Sequence, residues 1–96
     1  MKVRFLSVAE TELVKLLTWY EERQQGLSSR LLDEVEDAIS RIKANPTAWR
    51  PIGEKHRRIM LHIFKVGLIY RYQDDEIVIS EILDLRSDPI HWRTKF

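Results

Sequence analysis

Apolar positions along this 96-residue chain change period several times, and each change marks an element. Residues 2–6 intersperse Val3, Phe5 and Leu6 with cations and predict a short first strand. From Ala9 the spacing turns helical: Ala9, Leu13, Leu16, Leu17 and Tyr20 form one stripe, with Glu10, Glu12, Lys15 and Glu22 on the other face. Ser7 and Glu10 have the S-x-x-E spacing of a capping box at its start, and Gly26 is the natural left-handed stop. Leu31, Leu32, Val35, Ala38, Ile39 and Ile42 then repeat the helical spacing until Asn45-Pro46, where proline forces the preceding residue out of the α region. So short a link makes the two helices antiparallel neighbours. Their apolar stripes are too wide for each other alone, so a sheet must lie beneath them.

The second half supplies that sheet. Residues 48–56, with Pro51 and Gly53, read as a loop. Residues 57–64 place Ile59, Leu61 and Ile63 on one face of a strand and Met60 and Phe64 on the other. Residues 67–72 are rich in β-branched and aromatic side chains, and Asp74-Asp75 is a turn. Residues 76–85 begin a third run in which Ser80-Glu81 breaks the alternation and predicts a bulge. The tail 88–96 is expected to pack as an irregular end. The chain therefore reads as one α+β domain over residues 1–96: an antiparallel helical hairpin packed on a small, mainly antiparallel sheet, in the order β-α-α-β-β-β.

Composition narrows the class without naming a function. Hydrophobic residues are 44% and charged residues 32%, as in an ordinary globular chain, and no apolar run approaches a membrane span. The start reads as no signal peptide, and the absence of cysteine is compatible with a reducing cytosol. The net charge of +1 conceals an asymmetry: residues 1–48 carry seven Lys/Arg against eight Asp/Glu, residues 49–96 nine against seven. The basic excess is densest between Arg50 and Lys65, which suits an anionic partner, nucleic acid or acidic protein.

No nucleotide loop, paired-histidine metal motif or nucleophile elbow is present, so neither a metal nor a cofactor is expected. His62 sits in an apolar strand and reads as structural, whereas His56 and His91 flank basic residues and offer a general acid or base for RNA. Trp19 is spaced to join the helix stripe and the core. Trp92, between His91 and Arg93, is the tryptophan best placed for partner contact.

The order of these pieces resembles the RelE/ParE superfamily of toxins from type II toxin–antitoxin modules over nearly the whole chain. The resemblance rests on Ala9-x-x-Glu12-Leu13, Trp19-Tyr20-Glu21-Glu22, Gly26-Leu27 and the helix from Glu34 to Ile42. It continues through Asn45-Pro46, Arg57-Arg58, Phe64, Leu68-Ile69-Tyr70-Arg71 and Arg86-x-x-Pro89-x-x-Trp92. RelE-like members cleave mRNA on the ribosome with cations on the middle strands, a late arginine and a tail tyrosine. Against that pattern Arg58 and Arg86 are retained, while Met60, Gly67 and Trp92 are not cations or a phenol.

The ParE-like branch is the better match, through the Trp-Tyr-Glu-Glu helix, the Gly-Leu link and the terminal Arg-x-x-Pro-x-x-Trp. Two departures stand out: Phe64-Lys65-Val66 where Phe-Pro-Tyr is common, and Asp84 where histidine is common. The resemblance implies a cytoplasmic growth-inhibiting toxin of a plasmid-stabilisation module, acting on DNA gyrase by binding. Ribosome-dependent mRNA cleavage is the alternative. It also implies a cognate antitoxin and a hetero-oligomer with it, and no cofactor or membrane partner. Arg57, Arg58, Arg71, Arg86, His91, Trp92 and Arg93 are the candidate target- or antitoxin-binding residues, and no residue is assigned a catalytic role.

Overall fold

The computed structural model describes residues 1–86 and places two helices on one face of a five-stranded sheet. In chain order the elements are β1 (Lys2–Phe5), α1 (Ser7–Arg23), α2 (Leu27–Ala44), β2 (Arg50–Ile52), β3 (His56–Met60), β4 (Val66–Gln73) and β5 (Glu76–Asp84). The spatial order is β1-β5-β4-β3-β2, antiparallel throughout except for the parallel β1–β5 pair. This is the expected α+β arrangement with one strand more. Residues 50–52 pair with β3 instead of forming loop, which Pro51 permits because an edge strand can spare one N–H. The tail residues named above, His91, Trp92 and Arg93 included, lie outside the described residues.

The core lies between the helices and one sheet face. Leu31, Val35, Ala38 and Ile42 of α2, with Ala9 and Leu16 of α1, pack on Ile59, Leu68, Tyr70, Ile77, Ile79 and Ile82. Alternation along each strand therefore sends the other residue set to an outer face that neither α1 nor α2 covers. The predicted bulge is present: the β4–β5 register steps from Ile69↔Glu81 to Tyr70↔Ile79, leaving Ser80 as the extra residue. The step keeps Ile82 in the core and turns Leu83 outward. Because β1 ends opposite Ile79, β5 beyond it has an open edge there, and the Glu12 carboxylate accepts the Ile82 N–H at 3.3 Å.

Two local expectations are corrected. Ser7 does not cap α1: Leu6, extended at ψ 152°, is the cap residue, and the Ser7 carbonyl accepts the Thr11 hydroxyl at 3.0 Å. The chain stays tied to the sheet until Leu6, whose N–H donates to Ile79 O at 3.0 Å, so Ser7 is already helical. The strand predicted over 57–64 stops at Met60. Glu34 of α2 accepts the N–H groups of His62 (2.8 Å) and Ile63 (3.0 Å) and draws residues 62–64 away from the sheet, while the Leu61 N–H still donates to Val66 O at 3.0 Å. Ile63 is consequently 70% exposed and His62 is also exposed, while Phe64 turns into the core. Removing the latch with Glu34→Ala is expected to cost about 1.5–3 kcal/mol, the range for hydrogen bonds to a charged group, in urea denaturation.

Gly26 is left-handed as expected (φ 93°), yet it serves as the cap residue of α2 and has no side chain to cap with. Glu21, reaching over from α1, takes that role by accepting Gly26 N–H, Ser28 N–H and the Ser28 hydroxyl at 2.7–3.1 Å. The Gly26 N–H, followed by the Ser28 groups, holds the Glu21 carboxyl below the usual carboxylate range. A depressed folded-state value stabilises above the ordinary glutamate range and is lost as pH falls through it. Glu21→Gln is therefore expected to lower the thermal midpoint at neutral pH by several degrees and to flatten its decline towards acid. A thermal series from neutral to acidic pH checks this.

The β4–β5 turn carries both central residues left-handed, Asp74 at φ 54° and Asp75 at φ 58°, as a two-residue hairpin requires. Asn-Gly suits those dihedrals better than Asp-Asp. Asp74→Asn with Asp75→Gly is expected to raise unfolding free energy by about 1 kcal/mol, and a urea midpoint shift measures it.

Candidate functional site

The outer sheet face is where the chain's basic residues meet. Cross-strand register places Arg50 directly opposite Arg58, Arg58 opposite Ile69, and Ile69 opposite Glu81. In the adjacent row Ile52 faces His56, Arg71 faces Val78 and Val78 faces Arg4. His56 and Arg71 are neighbours across β3 and β4. Burial first, and then the Arg71 charge, push the His56 imidazole below its ordinary value, so it is predominantly neutral at pH 7. Further along the strands the same face becomes apolar: Met60 lies opposite Gly67 and Gly67 opposite Leu83. A Cβ on Gly67 would meet Leu85 Cδ1 and Met60 Sδ, each at 3.4 Å.

Arg86 belongs to a separate corner, beside the last turns of α1. Asp84 grips it in a bidentate pair, Nε to Oδ1 at 2.8 Å and Nη2 to Oδ2 at 2.6 Å. The guanidinium lies 3.6 Å from the centroid of the Trp19 ring, and Arg23 lies 4.0 Å from the same ring. The pairing holds the Asp84 carboxyl below the usual range. Glu12, Lys15, Leu16 and Ile82 complete a shallow depression of about 280 Å³ around this corner. Trp19 is thus half-buried rather than a core residue: its ring supports two cations at the surface. Next to it, Tyr20 meets Phe64 edge-on at 4.9 Å, tying α1 to the loop before β4.

The candidates from sequence therefore separate. Arg58 and Arg71 share the outer face. Arg57 points to the helix side, where its Nη1 donates to the Trp49 carbonyl at 2.8 Å and pins the segment after α2. Arg86 sits at the α1 corner, and His91, Trp92 and Arg93 lie outside the described residues. Arg50, the start of the basic stretch, joins Arg58 on the face, while Trp19 and Arg23 at the corner are additions that spacing along the chain did not single out. Cross-strand pairing and helix docking bring them in. Among the described residues no group of His, Cys, Asp and Glu is arranged to hold a metal, and no helix is long and apolar enough to cross a membrane.

The sequence over residues 3–89 matches a family model described as the ParE toxin of type II toxin–antitoxin system, parDE. The fold is similar to a solved chain of the chromosomal ParDE TA system from P. aeruginosa, with a TM-score of 0.67. That alignment covers 88% of this chain and 96% of the other, at 22% sequence identity. No curated protein matches the sequence.

Proposed function

Because the chain belongs to the ParE toxin family of type II toxin–antitoxin systems, we propose that it arrests growth in the cytoplasm by binding DNA gyrase. It holds the enzyme in its cleaved-DNA state, and a cognate antitoxin binds the toxin and prevents this. The observation that carries binding over catalysis is the strand pair Met60–Gly67. RNA cleavage by 2′-hydroxyl attack needs cations against the developing phosphorane charge and a group to protonate the leaving oxygen. At the two strand positions where superfamily ribonucleases carry such cations, this chain has a thioether and a glycine, and Leu85 fills the space above the glycine. Arg86, at the late-arginine position, is engaged by Asp84 and stacked on Trp19.

The antitoxin reading is supported by the family and by the charge of the second half. Partners of this kind bury an apolar segment and complement charge at the rim. The graded outer face, apolar at Met60–Leu85 and basic at Arg50–Arg71, offers both. A stable hetero-oligomer and a role in plasmid stabilisation follow from this reading.

Supercoiling and DNA-cleavage assays with purified gyrase test the proposal. Accumulated cleaved DNA that added antitoxin suppresses is the expected result. Undisturbed supercoiling at micromolar toxin, together with cleavage of ribosome-bound mRNA, would replace the gyrase reading with the ribonuclease one.

A further inference from the structure

A sheet with one face in water alternates buried and exposed residues along each strand, whereas a strand covered on both faces is buried continuously. β1 alternates, with Lys2 and Arg4 exposed. β4 and β5 do not: residues 66–70 and 77–80 are each an unbroken buried run. On the outer face Ile69 is 0% exposed and Leu83 5%, as buried as the core beneath the helices, and Ile52 and Leu85 pack against the pair. The centre of the outer face is therefore covered by a further layer.

Neighbouring side chains supply only part of that cover. Leu83 lies opposite Gly67, over which Leu85 leans, but on its other flank β5 has run past the end of β1. Arg58 and Glu81 flank Ile69 in its row and each is already engaged, so the row is not a vacant anion site. α1 and α2 pack on the opposite face, and the five strands all lie within the sheet. The burial is nevertheless that of a single chain.

The chain leaves β5 at this cluster, since Leu85 packs on it and Arg86 follows. Residues 87–96 bring Pro89, Ile90, Trp92 and Phe96. Extended, they reach about 33 Å, against roughly 15 Å across the sheet from β5 to β2. Pro89 has no N–H to leave unpaired on an apolar surface. Tethered at the cluster, the segment meets it at an effective concentration of about millimolar, an advantage no free partner has. We propose that residues 87–96 fold back across the outer face as a strap over Ile69 and Leu83, with Trp92, their largest apolar side chain, as the anchor. A partner seeking the apolar half of the face must then displace the strap or bind it, whereas Arg50 and the cavity of about 280 Å³ beside His56 and Arg71 stay accessible. That consequence rests on the binding role proposed above; the strap itself is a property of the isolated chain.

Nuclear Overhauser spectra of the isotope-labelled 96-residue chain test this with neither gyrase nor antitoxin present. Cross-peaks from Ile90, Trp92 or Phe96 to the methyls of Ile69, Leu83 or Leu85 are expected, and dilution should leave their relative intensity unchanged. Trp92→Ala is expected to shift the methyl resonances of those three residues and to raise the fluorescence of an added apolar dye, as newly exposed apolar surface does. The methyls of Val35 and Ile42, under the helices, should stay in place. The wild-type cross-peaks decide the question even if the variant unfolds. Contacts from the segment to α1 or α2 alone, or to no methyl at all, would overturn the proposal. Contacts that fade on dilution would overturn it in favour of a second copy of the chain. Protection of Ile69 and Leu83 only after antitoxin is added would overturn it in favour of that partner. A chain that shows the contacts yet leaves supercoiling untouched would remove the gyrase reading and leave the strap standing.

Discussion

Tyr70→Ala is expected to cost about 3–5 kcal/mol, the range for truncating a buried aromatic, and to leave little folded protein at 37 °C. Tyr70 is fully buried at the centre of β4, packed under both helices, and its hydroxyl donates to the Pro46 carbonyl at 2.6 Å. That single bond fixes where the chain leaves α2 and turns towards β2. The segment is fastened further by Trp49, whose indole N–H donates to the Arg41 carbonyl at 3.4 Å, and by Arg57 on the Trp49 carbonyl.

Tyr70→Phe keeps the ring and strands the Pro46 carbonyl, so about 1–2 kcal/mol is expected in urea denaturation. Burial pushes the Tyr70 hydroxyl up to about 12, against a smaller opposing effect of the Arg57 charge. A folded-state value raised above the unfolded one stabilises fully below the unfolded value, near pH 10, and is lost as pH rises towards about 12. The wild type should therefore lose stability across that interval. Tyr70→Phe should lose less there, its cost having been taken at neutral pH. Urea midpoints measured from neutral to strongly alkaline pH decide it, and parallel wild-type and variant curves would show that another group governs the alkaline limb.

The second large effect is expected from restoring a cation where the ribonuclease branch has one. Gly67→Arg places a long charged side chain in a buried position bordered by Leu85 Cδ1 and Met60 Sδ at 3.4 Å. A Cβ alone fits at that distance, so Gly67→Ala is expected to be close to neutral. The remaining atoms must displace Leu85 and Met60 or force the charge past them, at about 2–3 kcal/mol by the usual cost of overpacking. Neither Gly67→Arg alone nor its combination with Met60→Lys is expected to produce ribosome-dependent cleavage, since Arg86 stays with Asp84 and Trp19. Denaturation of both variants and a ribosome-bound mRNA cleavage assay check the two halves of this prediction. Cleavage by the double variant would show that the two missing cations alone separate this chain from the ribonucleases.

Much of this architecture was legible along the chain because its causes are local. The helical stripe of α2, its end at Asn45-Pro46, the Asp74-Asp75 turn and the bulge at Ser80 each follow from residues within a few positions of one another. Short-range sterics and period decide such features. The family was legible for a related reason: its pieces recur in order, and order is a property of sequence. The strand at 50–52 was not, because three residues with a proline have no strand signal until β3 lies alongside them.

What only the tertiary structure decided has a common physical origin in contacts between residues far apart in the chain. Glu34 ends β3 from 28 positions away, and Glu21 caps a helix to which it does not belong. Arg57 and Arg58 are indistinguishable in sequence, yet alternation on a one-sided sheet gives the first a structural carbonyl and the second a place on the outer face. Arg86 reads as a surface cation until Asp84 grips it and α1 brings Trp19 beneath it. The chain by itself determined the fold class and the toxin family. Register and helix docking determined which cations share a face, because sequence spacing places a charge on an element while cross-strand pairing selects its neighbours.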